Sequence, residues 1–197
     1  QETFQKQSAV SLRVDGHDLF LGEHRGEGRP PAILLNEKFR NSVHDFVHWK
    51  GGVSVIVNGL VLFSAHLPHV GAGQGVFQEC LRLCEDHVQQ QVDRVAEAAV
   101  LQVNHDEADA IVEAMFSDRA LRGECATLED ARRFVRVIGG ADANCEPCRE
   151  VDGVVGPHAS GCASPIRLHA YLQWLQACGL AIANTFLPTD KLSLIHI

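Results

Sequence analysis

The sequence predicts a mixed α/β layered domain, and three observations carry that prediction. Short apolar and β-branched runs fill the first third of the chain, the apolar period then lengthens from two to three or four, and helices thereafter alternate with single strands. In the first third, "SAVSLRV", "DLFLGEH" and "AILLNEKF" are separated by glycine, proline and charge, and read as strands within 8–24 and 32–39. "GGVSVIVNGLVLFSAHLPH" follows as two strands joined by Asn58-Gly59, the strongest short hairpin signal a sequence offers. From Val76 the residues Phe77, Leu81, Cys84, Val88, Val92, Val95 and Ala99 recur at three- and four-residue spacing, which makes an amphipathic helix. A second helical stretch runs from about Asp106 to Leu121. Thr127 with Asp130 marks a further helix start, after which "ARRFVRVIGG" turns extended. Beyond a loop over 145–165, "IRLHAYLQWLQACG" is a helix stopped at Gly179, and "LAIANTF" is again a strand. No repeat is evident and no linker divides the chain, so one domain is expected over 1–188, with about 89–130 as extra helical material between core strands.

Composition narrows the function classes. At 197 residues the chain is long enough to bury a real core. Its formal charge of −8 argues against a passive, charge-driven coat on nucleic acid, yet leaves room for an enzyme that meets phosphates through a divalent metal. Seven cysteines are an odd number, and no signal peptide precedes them, which points to a reducing, intracellular compartment, nuclear or cytoplasmic. No apolar run reaches the roughly 18 residues of a membrane span. The chain opens at Gln1 rather than methionine, and is therefore expected to be a fragment or a processed product.

The stretch most open to chemistry is "VIGGADANCEPC", residues 137–148. Cys145 and Cys148 supply two ligands of the four a zinc site needs; His158 and Cys162 are the nearest candidates for the others, but at a spacing foreign to the common fingers. Neither "GGAD" nor "GAGQG" at 71–75 has the lysine of a P-loop or the spacing of a dinucleotide fingerprint, and 71–75 reads as a strand-to-helix connection. Asp142 and Asn144 at a strand end are ordinary turn residues when taken alone. In the right company such a carboxylate activates water while the carboxamide donates to a phosphate oxygen. Arg149 and Arg167 fall beside loops, where they approach a backbone phosphate or are simply solvated.

Three other segments supply that company, in order along the chain. "QET" opens it with Glu2, a hard oxygen ligand suited to Mg²⁺; "LVLFSAHLPH" ends a strand at His66, two residues before Pro68; "GLAIANTF" ends one at Asn184-Thr185. With "GGADAN" between the last two, the sequence resembles the endonuclease/exonuclease/phosphatase superfamily, and especially the apurinic-endonuclease-like domains of non-LTR retrotransposons. The resemblance runs from residue 1 to about 188 and is weakest over 89–130. It implies a four-layer α/β sandwich with two mixed β-sheets, here incomplete, and a Mg²⁺-dependent (or Mn²⁺-dependent) phosphodiesterase that nicks DNA. On the matching positions it makes Glu2 the metal ligand and Asp142, Asn144 and His66 the catalytic residues. Asn184 becomes a residue that lines or supports the site.

The departures are specific. His66 stands where the family has a phosphate-contacting Tyr or Asn, and Ala141 separates Gly140 from Asp142. The family's opening Asn or Asp strand and its closing Thr-Trp and Ser-Asp-His motifs have no counterpart, so the 197-residue chain itself is expected to cleave little or nothing. The tail 189–197 ends in "KLSLIHI", which resembles translated adapter read-through, with an ordinary apolar strand as the alternative. Two further functions stay open: a phosphatase of the same fold acting on a small phosphoester, which the acidic charge favours, and a non-catalytic remnant.

Overall fold

Strand β5 (Gly52–Val57) is buried at all six positions, and the first of two compact units is built on its two faces. The computed structural model describes residues 11–23, 30–69, 71–102, 127–143, 147, 149–159, 165–182 and 186. In chain order the elements are β1 (Ser11–Val14), β2 (His17–Leu21), β3 (Ala32–Asn36), a 3₁₀ turn (Glu37–Ser42), β4 (Val43–Trp49), β5 and β6 (Leu60–His66). There follow α1 (Gln74–Gln102), α2 (Leu128–Phe134), β7 (Val137–Asp142) and α3 (Pro165–Ala177). The fold is α/β: β1-β2-β3 form an antiparallel sheet and β4-β5-β6-β7 a mixed one. The first unit comprises Gln1–His66 with Asp86–Ala141, and the second Leu67–Glu85 with Asp142–Ile197.

Tight turns set the registers. Asn58 (φ 49°) and Gly59 (φ 72°) both occupy the left-handed region, so the two-residue turn has the twist that pairs Val57 with Leu60, as the Asn-Gly signal predicts. Asp15 (φ 46°) and Gly16 (φ 74°) make the same turn between β1 and β2, with Val14 opposite His17. β4 is absent from the sequence reading. Its "VHDFVHW" has apolar neighbours at Phe46 and Val47, and a register shift between Val43 and Asp45 disrupts the alternation that marks a strand.

The two faces of β5 carry different partners. Val53, Val55 and Val57 cluster with Phe20 and Leu35 of the first sheet, with Phe46 and Leu62 packed alongside. On the other face Ile56 and Val61 meet Val95 of α1, and Trp49 stacks on His87 at 4.9 Å between ring centroids. Fully burying one valine contributes about 1.5–3 kcal/mol. An exposed i,i+4 pair such as Glu129–Arg133 contributes about 0.5 kcal/mol at most, so apolar burial holds this unit together. One polar hub joins it: the Asp45 carboxylate accepts from its neighbour Phe46 N–H (2.8 Å), from Gln91 Nε2 (3.1 Å) and from Arg94 Nη1.

Helix α1 runs unbroken through Gln102, beyond residue 89 where the extra helical material was expected to start, and the stretch read as a helix at 106–121 lies outside the described residues. Thr127 caps α2 by accepting the Asp130 N–H (3.2 Å), as the sequence predicts. In the second unit the first turns of α1 bury Phe77, Cys80, Leu81 and Cys84, and α3 buries Arg167, Leu168, Tyr171, Trp174 and Leu175, with Leu67, Ala143, Val154 and Val155 also buried. Gly179 (φ 64°) ends α3 with a Leu180 N–H to Leu175 O bond of 2.8 Å, a glycine-closed helix end that the sequence also marks. Of the strand expected in "LAIANTF", Ile182 makes a parallel bridge to Val155.

Gly139 gives a test of the β6–β7 neighbourhood. A Cβ there would lie 2.0 Å from the Phe63 ring, whereas one at Gly140 would meet nothing within 4 Å. Gly139→Ala is expected to destabilise by about 1–3 kcal/mol in urea unfolding, through overpacking. Gly140→Ala is expected to change stability by less than about 0.5 kcal/mol, and Phe63→Leu should relieve the Gly139→Ala defect.

Candidate functional site

The stretch 137–148 is β7 and the turn that leaves it. Val137–Asp142 pair as a strand, and Gly139 is where the Phe63 ring of β6 crosses over it, which accounts for the first of the two glycines. Asp142 closes the strand, and Ala143 after it is buried. Asn144, Cys145, Glu146 and Cys148 lie outside the described residues, as do Glu2, Cys162, Asn184 and Thr185.

β6 is the neighbour of β7. Val61 donates its N–H to Arg136 O (3.0 Å) just ahead of β7. The β4–β5 and β5–β6 pairings are antiparallel, and the sheet is mixed, so β6 and β7 run parallel. Their last residues are His66 and Asp142. The backbone of His66 is fixed by its N–H donating to Gly51 O (2.9 Å), and the residue is half-buried. Parallel neighbours finish at the same end of a sheet.

A second histidine, which the sequence reading passed over, lies three residues on. His69 is exposed, and its Nδ1 accepts the Gly71 N–H at 2.9 Å while its carbonyl accepts the Ala72 N–H at 3.0 Å. With Nδ1 an acceptor, the neutral ring carries its proton on Nε2 and presents a donor. The ring lies over Gly71, where a Cβ would come within 2.6 Å of Cε1. The signal was present in "HLPH": two histidines bracket a Leu-Pro step at a strand end.

Arg167 departs from its sequence reading. It is not a solvated or phosphate-facing arginine but is 4% exposed, in the first turn of α3. Nη1 donates to Pro68 O at 2.9 Å and Nη2 to Ala72 O, and the guanidinium stands 4.8 Å from the Phe77 ring centroid. Burying a guanidinium is costly unless its donors are met, and here two backbone carbonyls take one donor from each Nη group. The "GAGQG" segment is the connection into α1, with the Val76 and Phe77 N–H groups both donated to Gly73 O. Arg149 is exposed.

Among the described residues no three His, Cys, Asp or Glu side chains gather to hold a metal. Glu2, the ligand that the resemblance names, lies outside them. His158 is exposed. Among the described residues no helix is long and apolar enough to cross a membrane. A cleft of about 300 Å³ lies elsewhere, lined by His44, Asp45, Ile56, Gly59, Arg94, Val95 and Ala98; it takes in none of the sequence-predicted site residues.

Comparison of the chain with family models, with curated proteins and with solved structures gave no match.

Cys80, Cys84 and Cys178 are thiols outside any disulfide, the first two buried. Burial, with the Glu85 carboxylate nearby, pushes the Cys178 thiol up from its ordinary 9.0 to about 11. The folded chain therefore keeps this proton where the unfolded chain loses it. Its contribution to stability is full below pH 9 and is lost as pH rises from 9 to 11. At pH 8.5 iodoacetamide is expected to label Cys178 several-fold more slowly in the native chain than in urea. Equal rates would show an ordinary, accessible thiol.

Proposed function

We propose that this chain is part of a metal-dependent phosphodiesterase acting on DNA, with its reacting groups at the C-terminal ends of β6 and β7. The observation that supports the reading is the parallel neighbourhood of these two strands, which close on His66 and Asp142. The ordered motifs around Glu2, His66, Asp142–Asn144 and Asn184 support it independently.

In this reading Asp142 orients the attacking water and takes its proton as the new P–O bond forms in line with the departing oxygen of the phosphodiester. Asn144 and His66 donate hydrogen bonds to the phosphate oxygens on which negative charge grows. Glu2 is the proposed ligand of Mg²⁺ or Mn²⁺, and such an ion, when bound, supplies Lewis-acid polarisation of the phosphate. The net charge of −8 supports a second reading, a phosphatase of the same fold that takes a small phosphoester, because a strongly negative field does not attract long polyanions.

Plasmid nicking in Mg²⁺ by a form that carries the flanking reading frame tests the proposal. Asp142→Ala is expected to lower the rate by about 10²–10⁴-fold, and Asn144→Ala by about 10²–10³-fold. EDTA should abolish it. Nicking that survives both Asp142→Ala and Glu2→Ala overturns the assignment; release of phosphate from a small monoester without nicking selects the second reading.

A further inference from the structure

We infer that the cleft between β4 and α1 is a binding site for a small monocarboxylate with an apolar body, a short-chain or aromatic acid, and that Arg94 is its anchor. The cleft, of about 300 Å³, opens where a bulge in β4 faces α1. Val43 pairs with Val57 and Asp45 with Ile56, which leaves His44 as the extra residue of the bulge. In a regular strand two neighbours face opposite sides. Here the bulge lets His44 and Asp45 both line the cleft, while Val43 and Phe46 pack on the Val53–Val55–Val57 face of β5. Arg94, Val95 and Ala98, three or four residues apart on α1, reach the same opening. Gly59, at the turn between β5 and β6, adds no side chain to it.

The polar groups of the cleft favour a ligand that brings acceptors. Asp45 is already met by three donors, the Phe46 N–H, Gln91 Nε2 and Arg94 Nη1. Gln91 is wholly buried and its Oε1 has no partner among the described residues, a cost that an apolar residue would avoid. What the glutamine supplies is a hold on Asp45. Among the described residues Arg94 meets Asp45, and a guanidinium carries five N–H donors, so others stand at the cleft for a ligand's oxygens. Held by Asp45, the fork offers them in one plane, the geometry that a carboxylate matches with two parallel bonds. His44, exposed, supplies a further N–H. Asp45 also limits the charge. One guanidinium shared with one carboxylate, in a chain of net charge −8, suits a single negative charge rather than a polyanion. Ile56 and Val95, both buried, give the cleft an apolar wall. An apolar cavity of about 150 Å³ takes a benzene ring, so this cleft has room for a ring or short chain beside the carboxylate.

Titration of the ¹⁵N-labelled 197-residue chain with benzoate and with hexanoate, followed by amide chemical shifts, tests the site. Saturable shifts are expected at 44–45, 56, 59 and 94–98, with half-saturation at about 1 mM or below. Benzamide, which keeps the ring and loses the charge, should bind about tenfold or more weakly, and phenyl phosphate no more tightly than benzoate. Arg94→Gln is expected to weaken benzoate by about tenfold or more. Ala98→Leu, which fills the cleft and keeps the Arg94–Asp45 pair, should abolish the shifts. Absence of saturable shifts at these residues with both acids overturns the inference, and so does equal binding of benzamide and benzoate. Tighter binding of phenyl phosphate overturns the carboxylate assignment. The benzoate–benzamide comparison on the wild type decides the matter even if Arg94→Gln fails to fold. The cleft shares no residue with the proposed phosphodiester site, so failure to nick DNA counts against that reading alone.

Discussion

Burial of β5 on both faces is the constraint on which the first unit depends. Its odd residues, Val53, Val55 and Val57, need the first sheet, and Ile56 needs α1. A strand buried on both sides admits no slip, because shifting by one residue would exchange the two sets of partners. The register of β4 and β6 follows from it, and so does the position of β7 beyond β6. Side chains on the α1 side are fitted to one another within narrow limits. Trp49 occupies the space that a Cβ on Gly52 would need, within 1.9 Å, and rests against His87.

That frame explains why "VIGGAD" is written as it is. Among the described strands β7 is the last of its sheet, and Gly139 yields its side-chain volume to Phe63, so the strand lies close along β6. Its last residue is a carboxylate, beside a strand whose last residue is an imidazole.

Much of the fold was legible because its signals are local. Asn58-Gly59, the period of α1, the Thr127 cap and the Gly179 stop each carry their physics within a few residues, and each appears in the structure. β4 was not legible, since its bulge and its paired apolar residues Phe46 and Val47 erase the period of two. The site divides in the same way. Asp142 and His66 as strand ends follow from pattern, whereas the burial of Arg167 depends on carbonyls about a hundred residues away, which no sequence window contains. The hydrogen bond from the Gly71 N–H to His69 Nδ1 is likewise not marked by residue type alone.

The central claim is that the ends of β6 and β7 receive a phosphodiester. Chemical-shift mapping of the ¹⁵N-labelled chain with a short DNA duplex, with and without Mg²⁺, tests it most directly, because binding is read residue by residue and needs no turnover. The account predicts shifts concentrated at 66–69 and 140–144, strengthened by Mg²⁺. Shifts confined to the cleft of His44, Asp45 and Arg94, or none at millimolar duplex, would contradict it.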